Sequence, residues 1–257
     1  MNLTSVARAK DYLGITTAGS DNVIGQLIAR ASDQVIRWCS RPFQRTVYTD
    51  ARLNGNGADW MRVPDTPIIS VSAVTISNTA VPVSPDGITT GYQFDEFSLF
   101  LFGGSLFPRG RRNIGVSYIA GYTTSDSGYV PAANGPYTIT PTAGGYATTD
   151  QGVANYTTGV AMTAVGSSPA AGQYSFANGV YTFNATDTGV RVTMSYDYSP
   201  GSVEQAVIEL AGTKLKQRDN LSIASKSLRD ESITYEDKDM SNAIKGLLWP
   251  YKKVVPI

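Results

Sequence analysis

Apolar positions at the start of the chain recur at helical spacing. In "TSVARAKDYLG", residues 4–14, Val6, Ala9 and Leu13 share a face, with Thr4 or Ser5 placed to cap the first turn and Gly14 to end the last. "SDNVIGQLIARASDQVIRWCSRP" repeats the pattern at greater length. Ile24, Leu27, Ile28, Ala31, Val35 and Trp38 line one face, Arg30, Asp33 and Arg37 occupy others, and Pro42 closes the helix. From residue 46 to 122 the period shortens to that of strands. "TVYTD", "DWMRV", "PIISVSAVTI", "GYQFD", "SLFLF" and "IGVSYI" are separated by turn formers such as "NGNG" and "PDG". A small sheet packed on the two helices is the expected result.

Residues 124–200 change composition. Arg191 is the sole basic residue there, and Gly, Thr, Ser, Ala and Tyr dominate. The pairs Tyr174/Phe176 and Tyr181/Phe183 and the run Val190/Val192/Met194 alternate as half-buried strands do, with Asn178-Gly179 where a tight hairpin needs positive φ. A flexible linker would not keep that alternation, so an antiparallel β-module is predicted. Helical spacing returns at 202–217, where Val203, Ala206, Val207, Leu210 and Leu215 share a face behind a Ser202…Gln205 capping box. A polar excursion or hairpin follows at 222–239, then a short helix "SNAIKGLLWP" and the tail "YKKVVPI".

The predicted fold class is therefore α+β. Its helical core is two N-terminal helices plus the C-terminal helices, with a small antiparallel sheet and an inserted all-β module. The predicted domains are a discontinuous core, 1–123 and 201–257, and the insert 124–200, tolerated because loop closure costs little more as a loop lengthens.

Composition narrows the function. With 257 residues and 42 % hydrophobic content the chain can bury a real core, and its 21 basic and 21 acidic residues cancel. Zero net charge argues against general nucleic-acid binding, which needs excess positive charge. One cysteine, Cys39, cannot form an internal disulfide and fits a reducing compartment. The N-terminus lacks the pattern of a secretory signal, and no apolar run reaches membrane-spanning length, so synthesis in a cytoplasm and no membrane partner are expected.

Chemistry is scarce. There is no histidine, which removes imidazole acid–base work and His-based metal sites. Phosphate-loop and dinucleotide fingerprints are absent. Cys39, beside Trp38 on an apolar helix face, reads as a buried small residue. Asp95 and Glu96 are adjacent and would point to opposite faces of a strand, while Glu236, Asp237 and Asp239 read as a solvated surface. The expectation is no catalytic residues, no cofactor and no metal. Two features suggest contacts instead. "FPRGRRN" puts Arg109, Arg111 and Arg112 on a turn, either touching DNA phosphate or an acidic partner or forming a solvated hairpin tip. The tail, with Trp249, Tyr251, Val254, Val255 and Ile257, is too apolar to hang in water, and docking on a neighbour is favoured over packing on its own core.

The order of these pieces resembles the head–tail connector (adaptor) proteins of tailed bacteriophages. Lys10-Asp11-Tyr12-Leu13 and Arg41-Pro42-Phe43 match that family's helix pair. Tyr118…Gly121-Tyr122, Val130-Pro131 and Glu204-Gln205-Ala206-Val207…Glu209-Leu210 match its strand, link and helix. "IASKSLRDESITY" resembles its polar loop, and Leu248-Trp249-Pro250-Tyr251-Lys252 its closing motif. The likeness spans about two-thirds of the chain, and residues 124–200 are the departure: they are similar to small β-modules of phage structural proteins. The resemblance implies a non-enzymatic virion protein that forms a ring, by analogy a dodecamer, beneath the portal. Such a ring extends the channel for transient passage of viral double-stranded DNA and docks neck or tail-completion proteins. Ser227, Arg229, Trp249, Tyr251, Val254, Val255 and Ile257 would then meet the portal or a neighbouring subunit, and the protein would reside at the capsid vertex or neck. A different reading makes the 124–200 module a tail-associated binder of carbohydrate or a host surface. Its tyrosines serve either role equally well, since they are also good strand-core residues.

Overall fold

The structure, a computed structural model, describes residues 2–132, 135–218, 225–228, 231–234 and 240–253. Four α-helices and sixteen strands appear among them. The chain divides into two compact units, residues 1–40 with 124–252 and residues 41–123 with 253–257.

In the first unit, α1 (Val6–Leu13) starts where Ser5 accepts a hydrogen bond from the Arg8 amide, and ends at Gly14 in the left-handed region. Helix α2 (Asp21–Cys39) buries Ile24, Ile28, Ala31, Val35 and Cys39 and ends on left-handed Ser40, two residues before Pro42. Helix α3 (Gly201–Gln217) packs chiefly on α2. It begins directly from Pro200 with no side-chain cap, so Ser202 lies inside the helix and the expected capping box is not formed. At the α1–α3 approach, a β-carbon on Gly212 would come within 2.7 Å of the end of the Leu13 side chain. Helix α4 (Asn242–Leu248), capped by Ser241, buries Ile244 and Leu248 against this group.

The same unit holds two sheets. Strands β8 (Thr123–Tyr129), β10 (Gly145–Asn155) and β14 (Arg191–Pro200) make the first, with β14 central and β8 and β10 flanking it. Strands β9 (Thr138–Ile139), β11 (Thr163–Ala164), β12 (Gln173–Ala177) and β13 (Val180–Phe183) make the second. Asn178 and Gly179 both take positive φ at the β12–β13 hairpin, as the sequence predicts. Val153, Tyr174, Tyr181, Phe183, Val192, Met194 and Tyr196 form the core of this β region. A backbone hairpin, β15 (Ser225–Leu228) with β16 (Glu231–Thr234), lies in the polar excursion.

Among its described residues the second unit is all β. Strands β1 (Thr46–Gly55), β3 (Ile68–Ile76), β4 (Thr79–Val81) and β7 (Gly110–Ala120) form one antiparallel sheet in the order β1-β7-β3-β4. Strands β2 (Trp60–Arg62), β5 (Gly91–Phe94) and β6 (Ser98–Phe102) form another, ordered β2-β6-β5. Its core contains Met61, Val74, Leu99, Phe107, Ile114, Val116 and Tyr118 and draws no residue from a helix.

That core corrects the expected fold class. The protein is mostly β, not a helical core carrying a small sheet. The alternating runs at 46–120 supply apolar faces for two sheets, which cover each other and need no helix beneath them.

Candidate functional site

Helix α1 and the start of α3 are tied by a buried carboxylate. Glu204, 5 % exposed, accepts from Thr4 Oγ1 at 2.9 Å and from Arg8 through both Nε and Nη2, the latter at 2.8 Å. The fork-to-fork geometry gives direction as well as energy, and a buried acid without it would be costly. Arg8 also lies over the Tyr146 ring, whose phenol burial pushes upward. Glu204 is thus a structural acid, and it belongs to one of the motifs the sequence singles out.

Two further carboxylates are ringed by tyrosines. In the second unit Asp65 takes the Tyr48 hydroxyl and both oxygens lie 3.1 Å from Lys253 Nζ, while its amide donates to the Tyr118 hydroxyl at 3.4 Å. The rings of Tyr48 and Tyr118 stack at 4.7 Å. Burial raises both phenols, Tyr118 to about 12; the Asp65 carboxylate adds to the rise at Tyr48, while the hydrogen bond from the Asp65 amide offsets part of it at Tyr118. In the first unit Asp150 accepts from Tyr174 at 2.6 Å, from Tyr181 at 2.9 Å and from the Gly152 amide at 3.0 Å. Burial and the neighbouring Asp150 raise those phenols as well. Sequence inspection misses both clusters because their members come from separate strands.

The sites expected from sequence fall as follows. Arg109, Arg111 and Arg112 are exposed at the start of β7, and none makes an ion pair among the described residues. They adjoin a groove of about 620 Å³ lined by Arg52, Asn54, Asn56, Trp60 and Arg62. The Arg112 amide donates to Asn54, and Arg109 lies against Gly57. Arg52 is engaged by Asp50 and Asn78. Arg52, Arg62 and Trp60 line the groove, while the side chains of the arginine turn are not among its lining residues.

Trp249 is 68 % exposed and Tyr251 half-buried, in a short 3-10 turn after α4. Lys252 Nζ lies 4.9 Å from the Trp38 ring and 5.7 Å from that of Trp249. Ser227 lies on β15 opposite Ser232. Arg229, Val254, Val255 and Ile257, and the acids Glu236, Asp237 and Asp239, lie outside the described residues. Cys39 is fully buried. Among the described residues no cluster of three or more acids or cysteines could hold a metal, and no helix is long and apolar enough to cross a membrane. Asp95 and Asp86 are engaged as loop acceptors. Asp95 takes the amides of Phe97 and Ser98, and Asp86 takes those of Ile88 and Thr89.

No curated protein matches the sequence. A solved structure described as the neck of an empty GTA particle, computed with C6 symmetry, is similar at 12 % identity and a TM-score of 0.37. The match covers 99 % of this chain and 92 % of that one. The family model for head completion proteins matches residues 2–132, which take in the first two helices and the whole stretch 41–123. The chain belongs to the head completion protein family.

Proposed function

We propose that the protein is a ring-forming connector subunit seated beneath the portal, which extends the DNA channel and offers a platform to neck or tail-completion proteins. Family membership is the observation that carries this reading. The coarse role, a structural protein of the phage head and neck within the virion, comes with the family. The ring of twelve copies, the portal contact and the docking platform are the finer proposal. In it, residues 1–123 and 201–257 are the connector core and residues 124–200 an inserted β-module. The family match over residues 2–132 supports the N-terminal part of that core.

Two surfaces support the assembly role. Trp249 leaves most of a large aromatic ring in water, which is costly unless a partner covers it. Together with Tyr251 and the tail residues Val254, Val255 and Ile257, and with Ser227 and Arg229 of the polar excursion, it forms the proposed contact to the portal or the next subunit. Arg109, Arg111 and Arg112, without carboxylate partners among the described residues, form the proposed contact to DNA in transit or to an acidic neighbour. A chain of zero net charge suits a channel wall, since a strongly basic lining would hold a polyanion back.

The test is binding of the purified chain to portal-bearing, DNA-filled capsids that lack tails. The full chain should bind. A chain ending at Lys253 should bind poorly, because it loses Val254–Ile257 yet keeps the Asp65 ion pair. Triple replacement of Arg109, Arg111 and Arg112 by Ala should leave capsid binding intact but alter DNA retention or ejection. Absence of binding by the full chain would overturn the connector reading.

A further inference from the structure

We infer that the outer face of the sheet β10-β14-β8 carries a binding site for a carboxylate-bearing saccharide, centred on Arg191 between Tyr129 and Tyr156. Arg191 opens the central strand β14, and its neighbour Val192 is fully buried, so alternation turns Arg191 to the opposite face. Tyr129 ends the flanking strand β8 on one side. Tyr156 follows β10 on the other, where its amide bonds to the Arg191 carbonyl at 2.9 Å. The guanidinium carbon lies 3.6 Å from the centre of the Tyr156 ring and 5.9 Å from that of Tyr129. Nη2 donates to Ser127 Oγ at 3.0 Å. Both rings are more than half exposed, at 66 % and 53 %.

A cation–π contact at an exposed site stabilises by about 0.5–1 kcal/mol, and the Tyr156 ring alone supplies it. That contact accounts neither for a second exposed tyrosine nor for an arginine with no carboxylate partner among the described residues. The Tyr156 ring covers a face of the guanidinium at 3.6 Å and Ser127 takes one Nη2 donor, which leaves the rest of the in-plane edge open among the described residues. That edge is a fork of N–H donors matched to a planar carboxylate.

Charge selects the rest of the ligand. Residues 124–200 contain four aspartates, no glutamate and one arginine, an excess of three negative charges (4 − 1). With one arginine and no lysine, the region offers a single fork, enough for one carboxylate and too little positive charge to hold a polyanion such as nucleic acid. Thr193 and Ser195 follow Arg191 at two-residue steps on the same face and, with Ser127, offer hydroxyls to a hydroxyl-rich body. Exposed aromatic surface suits the C–H side of a sugar ring. This inference goes beyond the head-and-neck role and does not rest on it.

The experiment presents the full chain with sialyllactose, a galacturonic acid trimer and a hyaluronan oligosaccharide, each paired with a neutral counterpart, and with an oligoglutamate and a short duplex DNA. Calorimetric titration should show saturable binding of a carboxylate-bearing sugar, preferred by about tenfold or more, as expected for charge-assisted hydrogen bonds. Arg191→Gln should remove the preference. Arg191→Lys, which keeps the charge but not the fork, should remove most of it. Tyr156→Ala should weaken binding and Tyr156→Phe should preserve it, with circular dichroism confirming that each variant is folded. Equal binding of acidic and neutral sugars would overturn the inference, as would no binding of any sugar or unchanged binding by folded Arg191→Gln. Tighter binding of the oligoglutamate or the DNA would overturn it in favour of an acidic protein or a nucleic acid.

Discussion

Asp65 and Asp150 present the same device in two settings. Each is an aspartate on or beside a sheet with two tyrosine hydroxyls around it: the Asp150 carboxylate accepts from both, whereas Asp65 takes Tyr48 on its carboxylate and donates its amide to Tyr118. Around Asp65 the negative charge is met by a cation, Lys253, from 188 residues further along the chain. Around Asp150 no ion pair forms among the described residues, and hydroxyl and amide donors do the work. The β region of the first unit therefore settles its buried acid from within. The second unit depends on a residue from far outside its continuous stretch 41–123.

The largest expected effect tests what the two clusters share. Burial raises the folded-state pKa of Tyr48, Tyr118, Tyr174, Tyr181 and Tyr196 above the ordinary 10.0, to about 12 for Tyr118 and Tyr196. For a raised pKa the stabilisation is fully present below the unfolded value. It is lost as pH climbs from 10 toward and through the folded value. Both units should therefore unfold cooperatively above pH 10. Tyrosinate absorbance should rise in two steps, exposed phenols first and these five only with unfolding. A single smooth step in a folded chain would break the shared account.

Next in size is Asp150→Ala, which strips the acceptor from two buried phenols. The loss should be about 3–6 kcal/mol, at about 1.5–3 kcal/mol for each of the two hydrogen bonds to a charged group. Chemical denaturation should show it, with Asp150→Asn milder. Lys253→Ala should cost less, about 1–2 kcal/mol, because the lysine is partly solvated while the acid it leaves is not. A double-mutant cycle with Asp65→Asn should return coupling for that pair and none between Lys253 and Asp150. Smallest is Asp86→Asn. Amides of Thr89 and Ile88 hold the Asp86 carboxyl down at about 2, so its contribution is present above 3.8 and lost as pH falls from there toward 2. The variant should speed hydrogen exchange at Ile88 and Thr89 and leave both tyrosine clusters untouched.

Much of the local structure was legible in the sequence. Ser5 and Gly14 bound α1 as their chemistry predicts, and Asn178-Gly179 makes its hairpin. Strand β4 was missed because its turn uses Ser77 and Asn78, both at positive φ, instead of an Asn-Gly pair. The start of α3 was misread because Ser202…Gln205 looks like a cap, while the chain enters the helix straight from strand β14 through Pro200. The fold class failed for a tertiary reason. Alternation marks which strand faces are apolar, but not whether a helix or another sheet covers them. The candidate surfaces were partly visible. Arg109, Arg111 and Arg112 announce themselves as a run, whereas Arg52, Arg62 and Trp60 come together only where β1 and β2, from different sheets, line one groove. Arg191 stood out as the lone base of its region, yet Tyr129 and Tyr156 lie 62 and 35 residues before it and no spacing rule links them.

The Lys253–Asp65 pair has a consequence for translation. At roughly 5–20 residues per second, Asp65 is polymerised about 10–40 s before Lys253. During that interval the nascent second unit carries an acid that waits for its counter-ion. Its last increment of stability comes only once the C-terminal residues have emerged, so a ribosome stalled just short of them would hold a subunit that is shaped but not yet locked.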